Sequence, residues 1–333
     1  MRFSQFLLTR LLSYFLVILI GITVVFFIPR LLPTSPIDMM LSRLTSQGIN
    51  IPAEAIEEIR NTLLETYGMQ GTLGEQYLGF LKRVILTGNF GPSLSFYPTP
   101  VSHLIKRALP WTLGLMLSST LISWLIGNVI GLIAGYRPNK PLSRFLETAA
   151  MIVYPIPYYI LALGLIILFA YIFPIFPFSF DVHMEPTLSW KMVKDIIYNS
   201  LLPALSMVIV SIGWWVISMK ALASSVAEED FVHYARLRGI PDNKIMGKYV
   251  ARNAVLPQIT MLALQLGGIF NGAMVTEMLF GYPGMGTLIY DAVIGSDYNL
   301  ILGTISFSIV AVATTTLIVD LLYPFLDPRI RYR

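Results

Sequence analysis

The chain alternates long uncharged runs with short charged interruptions. The runs cover residues 11–27 and a little beyond, 108–136, 148–180, 196–219, 253–276 and 298–319. Each reaches or approaches the roughly 20 residues that a helix needs to cross about 30 Å of hydrocarbon. The run at 148–180 is longer than one crossing needs, and Pro174 and Pro177 in its tail predict an interfacial exit rather than helix. Six membrane-spanning helices is the economical count. The first run follows Arg2 and Arg10 as a signal peptide would. It is too long for one, and no small-x-small site precedes Pro29 and Pro33, so the reading is an uncleaved first helix.

Two interruptions carry structure of their own. Between the first two runs, residues 52–67 predict a helix with Glu54, Glu57 and Glu58 early, where the helix dipole favours acids, and Gly68 as its stop. Residues 75–86 predict a second amphipathic helix, closed by the turn GNFGPS. Together these form a small cap, too long for a bare connector and too small for an independent core. The second interruption is FVHYARLRGIPDNKIMGKYVARNAVLP at 231–257. Glu228, Glu229 and Asp230 precede it and Arg236 and Arg238 follow one short helix later, both placements suiting the dipole. Gly239 and Pro241 end that helix, and Asp242 reads as the cap of a second. On the second helix Lys244, Lys248 and Arg252 recur every fourth residue as a basic stripe able to meet lipid phosphates. The spacing alone also suits a solvated basic loop.

Composition agrees with a membrane solvent. Of 333 residues 55% are hydrophobic and only 13% charged, against about 25% charged in an ordinary soluble domain. Basic residues orient the chain. With the N-terminus inside, the inner segments hold Arg137, Lys140, Arg144, Lys220 and the whole 231–257 insert, while the short outer loops hold only Lys191 and Lys194. The positive-inside bias therefore gives N-in, C-in. The divisions are a first helix (1–29), an extracytoplasmic cap (30–107), a five-helix core (108–326) carrying the elbow at 228–257, and a cytoplasmic tail (327–333). No cysteine is present and the three histidines have no metal spacing. There is no GxxxxGK[ST], HExxH or GxSxG, so no cofactor, metal site or catalytic constellation is expected.

ARLRG at 235–239 followed by RNAVLP at 252–257 resembles the coupling motif of ABC-importer permeases. More closely, the chain is similar to the B-type permease of the dipeptide/oligopeptide (Dpp/Opp) family. The resemblance continues through the cap sequence YGMQGTLGEQYLGFLKRVILTGNFGPSL, through EMLFGYPGMG at 277–286, and into the ending DLLYPFLDPRIRY. It implies the type I ABC importer permease fold in a prokaryotic inner membrane. It also implies a homologous second permease, two ABC ATPases that hydrolyse the ATP, and an extracytoplasmic solute-binding protein. No nucleic acid is implied. By position, the ATPase-coupling residues would be Asp230, Phe231, Tyr234, Ala235, Arg236, Arg238, Gly239, Ile240 and Pro241, with Ala235 and Gly239 allowing close approach to the ATPase. The remaining family-motif positions are Asn253, Leu256, Pro257, Glu277, Phe280, Pro283, Gly284, Gly286, Asp327, Pro328 and Arg329. Three places depart from the pattern: Leu32-Pro33-Thr34-Ser35-Pro36 after the first run, Asp297-Tyr298-Asn299 before the last, and His233 and Tyr234 at the first two positions of the coupling motif.

Peptides are the expected cargo, with oligosaccharides, metal chelates and glutathione-like solutes as alternatives. A secondary transporter or channel is the alternative from another class. It would place ionisable relays inside the spans, whereas Lys220, Glu277 and Asp320 lie at the edges of the runs. Tyr154, Tyr158, Tyr159, Trp214 and Trp215 suit either a pathway or interfacial anchoring. Gly267, Gly268 and Gly272 suggest close helix approach in the fifth span.

Overall fold

A computed structural model describes residues 3–31, 35, 37–38, 41–42, 52–181, 189–271 and 273–326. Asp327, Pro328, Arg329, the tail beyond them, Gly272 and most of the departure at 32–36 lie outside these residues. Among the described residues the fold is helical, apart from one isolated bridge between Pro92 and Pro100.

The helices are α1 (Phe3–Arg30), α2 (Ala53–Thr66), α3 (Leu73–Thr87), α4 (Val101–Tyr136), α5 (Pro141–Val153), α6 (Tyr158–Ile166) and α7 (Trp190–Ala227). They continue as α8 (Asp230–Leu237), α9 (Asp242–Ile245), α10 (Ala251–Gly267), α11 (Met274–Leu279), α12 (Met285–Ile294) and α13 (Tyr298–Leu326). A π turn at Met246–Val250 joins α9 to α10, and another, Ile167–Ile172, extends α6. Among the described residues five stretches are long and apolar enough to cross a membrane: Leu7–Arg30, α4, α7, Asp242–Phe270 and Tyr298–Leu322. A helix suits that solvent because it satisfies every backbone polar group internally.

The third uncharged run is not a straight helix. Pro155 and Pro157 remove amide donors in mid-run, and α5 and the extended α6 meet there at 97°. Among the described residues five helices are thus long and apolar enough to cross, or six if this bent pair is one span. The bend lies well before Pro174 and Pro177, where the sequence suggested the helix would end. Helix α4 starts earlier than the apolar pattern implied, at Val101.

The most extensive packing is between α4 and α7. Gly127, Gly131 and Gly135 recur every fourth residue on α4 and face α7. A Cβ on them would lie 2.4 Å from the Trp215 Cβ, 2.6 Å from the Val216 carbonyl and 2.4 Å from the Lys220 carbonyl. Their absent side chains let the two backbones approach. Of the glycines singled out by sequence, a Cβ at Gly267 would meet Thr315 and Thr316 at an ordinary 3.8 Å, and one at Gly268 would meet nothing of this chain within 4 Å. Lys220 on α7 pairs with Glu147 on α5.

Helices α1 and α13 pack antiparallel, from the Arg10–Asp320 ion pair (3.0 Å) at one end to the Tyr298 hydroxyl donating to the Pro29 carbonyl (2.7 Å) at the other. The cap sits at the Pro29 end. Helix α3 opens with a capping box between Thr72 and Glu75 and closes at Gly88, whose φ of 62° favours glycine. The Thr72 amide and then its hydroxyl, both bonded to the Glu75 carboxylate, hold that carboxyl below the usual range. Phe80 buries against Ile22, Phe26 and Leu302. Asp297, fully buried, fastens the cap loop. Its Oδ2 accepts from the Ser93 hydroxyl (2.5 Å) and from the amides of Leu94 (2.6 Å) and Ser95 (2.9 Å). Its Oδ1 accepts from the Leu300 amide in the first turn of α13.

Candidate functional site

The elbow lies at the end of the bundle opposite the cap. Helix α8 ends in a Schellman arrangement: the Ile240 amide donates to the Ala235 carbonyl and the Gly239 amide to the Arg236 carbonyl. Gly239 adopts φ +69°, so glycine is required there by backbone conformation. A Cβ on it would meet nothing within 4 Å, so close approach to a neighbour within this chain is not the reason for it. Pro241 then begins the return, and Asp242 is the first residue of α9 rather than its cap.

The Asp242 side chain does different work. Oδ1 accepts from the Tyr136 hydroxyl at 2.6 Å, and Oδ2 from the Arg137 guanidinium at 2.7 Å. The same Arg137 nitrogen reaches the Asn243 side chain at 2.7 Å. The end of α4 is thereby tied to the far side of the elbow. The Arg236 guanidinium stands 5.7 Å from the centre of the Tyr136 ring, a cation–π distance. Behind these bonds Tyr136, Ala223, Val232, Ala235, Ile245 and Val250 form a buried cluster, with Ile240 packed against it. Sequence reasoning missed Tyr136 and Arg137, because nothing in their local pattern points 105 residues downstream.

The helix thus has two faces. Val232 and Ala235 point into the chain's own core, so Ala235 supports the elbow from within. Phe231, Tyr234 and Leu237, three residues apart, point outward and are 41%, 66% and 70% exposed. His233, Arg236 and Arg238 are exposed around them, as is Asp230. An apolar stripe flanked by cations thus lies exposed on a helix packed from behind. Lys244, Lys248 and Arg252 are exposed too. The π turn at Met246–Val250 inserts an extra residue and breaks their every-fourth register. Asn253 donates to the Tyr249 carbonyl in that turn (2.8 Å), while Leu256 and Pro257 lie further along α10 and are exposed.

The second motif, at 277–286, lies at the cap end and closes on itself. Glu277 is fully buried. Its Oε1 accepts from the Thr112 hydroxyl (2.8 Å), and its Oε2 from the amides of Gly286 (2.6 Å) and Thr287 (3.3 Å), the free donors of the first turn of α12. The Thr112 oxygen in turn accepts from the Met285 amide at 2.7 Å. A Cβ at Gly284 would sit 2.3 Å from the Glu277 carboxylate, and one at Gly286 2.4 Å from the Met274 Cα. Phe280 is buried against Ala162, Leu165, Ile166 and Leu202, and Pro283 is exposed beside it in the turn. This motif is an internal brace joining α4, α11 and α12. It is not brought together with the elbow.

The fold is a bundle of membrane-length helices carrying a braced elbow, and among the described residues no group of His, Cys, Asp or Glu could hold a metal ion. Residues 127–332 match the model of the family described as binding-protein-dependent transport system inner membrane component. The chain belongs to that family and is a non-catalytic, multi-pass permease subunit of the bacterial inner membrane. It is similar to the oligopeptide transport system permease protein AppB of Bacillus subtilis (strain 168), with 31% identity over 95% of this chain and 96% of that one. It is also similar to the dipeptide transport system permease protein DppB of the same organism, 29% identical over 98% of each chain. A third relative is the glutathione transport system permease protein GsiC of Salmonella typhimurium, 29% identical over 99% of each. Family membership implies the partner set of an importer of this kind: a second permease, ATPases and a binding protein.

Proposed function

We propose that this chain forms half of the translocation pathway of an ATP-driven importer of short peptides. The observation that carries the reading is the outward stripe of Phe231, Tyr234 and Leu237 on a helix braced to α4 by Asp242. Two partner ATPases seat that stripe, with Asp230, Arg236 and Arg238 around it. Ala235, Gly239, Ile240 and Pro241 keep the stripe rigid from behind. ATP-driven closure of the ATPases moves the elbow. The Tyr136–Asp242–Arg137 bonds pass that movement to α4, and through the α4–α7 contact to the bundle.

In this reading the bent pair α5–α6 counts as one crossing, which gives six spans with both termini and the elbow in the cytoplasm. The cap at 30–107 is extracytoplasmic, 108–326 is the permease core with its elbow at 228–257, and 327–333 is a cytoplasmic tail. Asn253, Leu256 and Pro257 begin the span that leaves the elbow. Glu277, Phe280, Pro283, Gly284 and Gly286 hold the extracytoplasmic hairpin, and Asp327, Pro328 and Arg329 mark the exit of the last span. Peptide cargo is supported by the names of the three relatives, since glutathione is itself a modified tripeptide. None of the three is named for an oligosaccharide. The test is uptake of a labelled tripeptide into proteoliposomes holding this chain, its second permease, the ATPases and the binding protein. Uptake that requires ATP hydrolysis is expected; uptake that proceeds without ATP contradicts the reading.

A further inference from the structure

At the cap end a cavity of about 680 Å³ opens between α4 and α12. Its size falls in the range of roughly 300–1,000 Å³ typical of small-ligand sites. Lys106 and Arg107 line it from α4 and Asp291 from α12. Among the described residues no hydrogen bond or ion pair engages these three side chains. Burial holds the Asp291 carboxyl above the usual carboxylate range, the behaviour of an acid that lacks a partner. Trp111 and Phe180 meet edge to face on its lining with ring centres 5.1 Å apart, and Phe96 of the cap and a second acid, the partnered Asp181, line it as well. An apolar cavity of about 460 Å³ adjoins through Pro110 and Trp111.

Cations from α4 and a carboxylate from α12 on one lining, together with aromatic rings, are complementary to a short zwitterion with an apolar middle. We propose that this cavity binds the two charged ends of a free peptide, with Lys106 and Arg107 on its carboxylate and Asp291 on its ammonium. The proposal rests on the importer reading and assigns that importer a cargo-recognition site within the permease itself. Such a site would favour peptides with both ends free over blocked ones, largely independent of side chains.

The test uses the complete importer in nanodiscs without its binding protein, and binding of trialanine, N-acetyl-trialanine and trialanine amide followed by saturation-transfer NMR. Blocking either end is expected to weaken binding by about tenfold, the loss of one charge-assisted contact. Lys106→Ala and Arg107→Ala should remove the penalty for the amide and leave that for the acetylated peptide, and Asp291→Asn should do the reverse. The near-isosteric Asn keeps the fold, which co-purification of the ATPases checks. Equal binding of free and blocked peptides overturns the proposal. So do variants that weaken the binding protein's affinity while keeping the end-group preference, because the charges then belong to a docking surface. Either failure alongside ATP-driven peptide uptake leaves the importer reading standing; loss of ATP dependence in the wild type removes that reading instead.

Discussion

The Asp242 carboxylate accepts the Tyr136 hydroxyl at 2.6 Å, closing a loop of 106 residues at the elbow end of the bundle. With Arg137 on its other oxygen, this one side chain ties the start of α9 to the end of α4. Asp242 is itself largely exposed, so the bonds act mainly as a mechanical link and contribute only modest stability, about 1 kcal/mol.

Cutting that link should uncouple before it unfolds. In the double variant Tyr136→Phe, Arg137→Gln the ATPases remain bound and hydrolyse ATP, while peptide taken up per ATP falls severalfold. An unchanged ratio of uptake to hydrolysis, measured in proteoliposomes, would show that α4 receives its motion elsewhere.

The brace at Glu277 should behave in the opposite way, as stability with no direct role in coupling. Glu277→Ala strands the Gly286 and Thr287 amides and the Thr112 hydroxyl in a buried site, a loss of about 3 kcal/mol or more. A fall of several degrees in the Tm of the detergent-solubilised complex is expected. Glu277→Gln, which keeps one acceptor oxygen, should lose less.

Two helical glycines should respond with opposite signs. A Cβ at Gly131 meets the backbone of α7 at 2.6 Å, and Gly131→Ala is expected to cost about 1–3 kcal/mol. A Cβ at Gly164 meets nothing within 4 Å, and there Gly164→Ala should stabilise by roughly 0.4–1 kcal/mol through the unfolded chain. Thermal melts of both variants that shift in the same direction would refute the packing account of α4 and α7.

The contrast between those glycines marks how far the sequence is legible. Apolar runs reveal the crossing helices because the bilayer imposes one solvent along each whole run. Gly239-Ile240-Pro241 reveals the elbow because glycine and proline act locally. By contrast, Gly131 matters only because Val216 lies opposite, and Asp242 only because Tyr136 does. Such pairings are set by helix packing across more than 80 residues and leave no local periodicity. The same holds for Asp297, which reads only as the acid of a triplet whose last residue, Asn299, departs from the family pattern, and is the clasp that holds the cap loop. The 97° break at Pro155 and Pro157 was visible as two prolines, yet the run's overall hydropathy concealed it.

The raised carboxyl of Asp291 gives a pH signature. Below the ordinary carboxylate range the side chain is protonated in both folded and unfolded chains, and Asp291→Asn should melt with the wild type. As pH rises from the unfolded pKa through the raised folded one, the wild type loses stability that the Asn variant keeps. The gap in Tm should therefore open towards neutral pH and then level off. A gap independent of pH, or one favouring the wild type, would place Asp291 in a different environment.

The seat of the ATPases on the outward stripe is tested most directly by Leu237→Asp, which adds a charge at a position 70% exposed and outside the buried cluster. The measurement is the amount of ATPase retained when the tagged permease pair is purified from membranes. The expected result is loss of the ATPases with the second permease still bound and the Tm of the pair unchanged. Full retention of the ATPases with ATP-driven uptake intact would show that they grip the permease somewhere other than this helix.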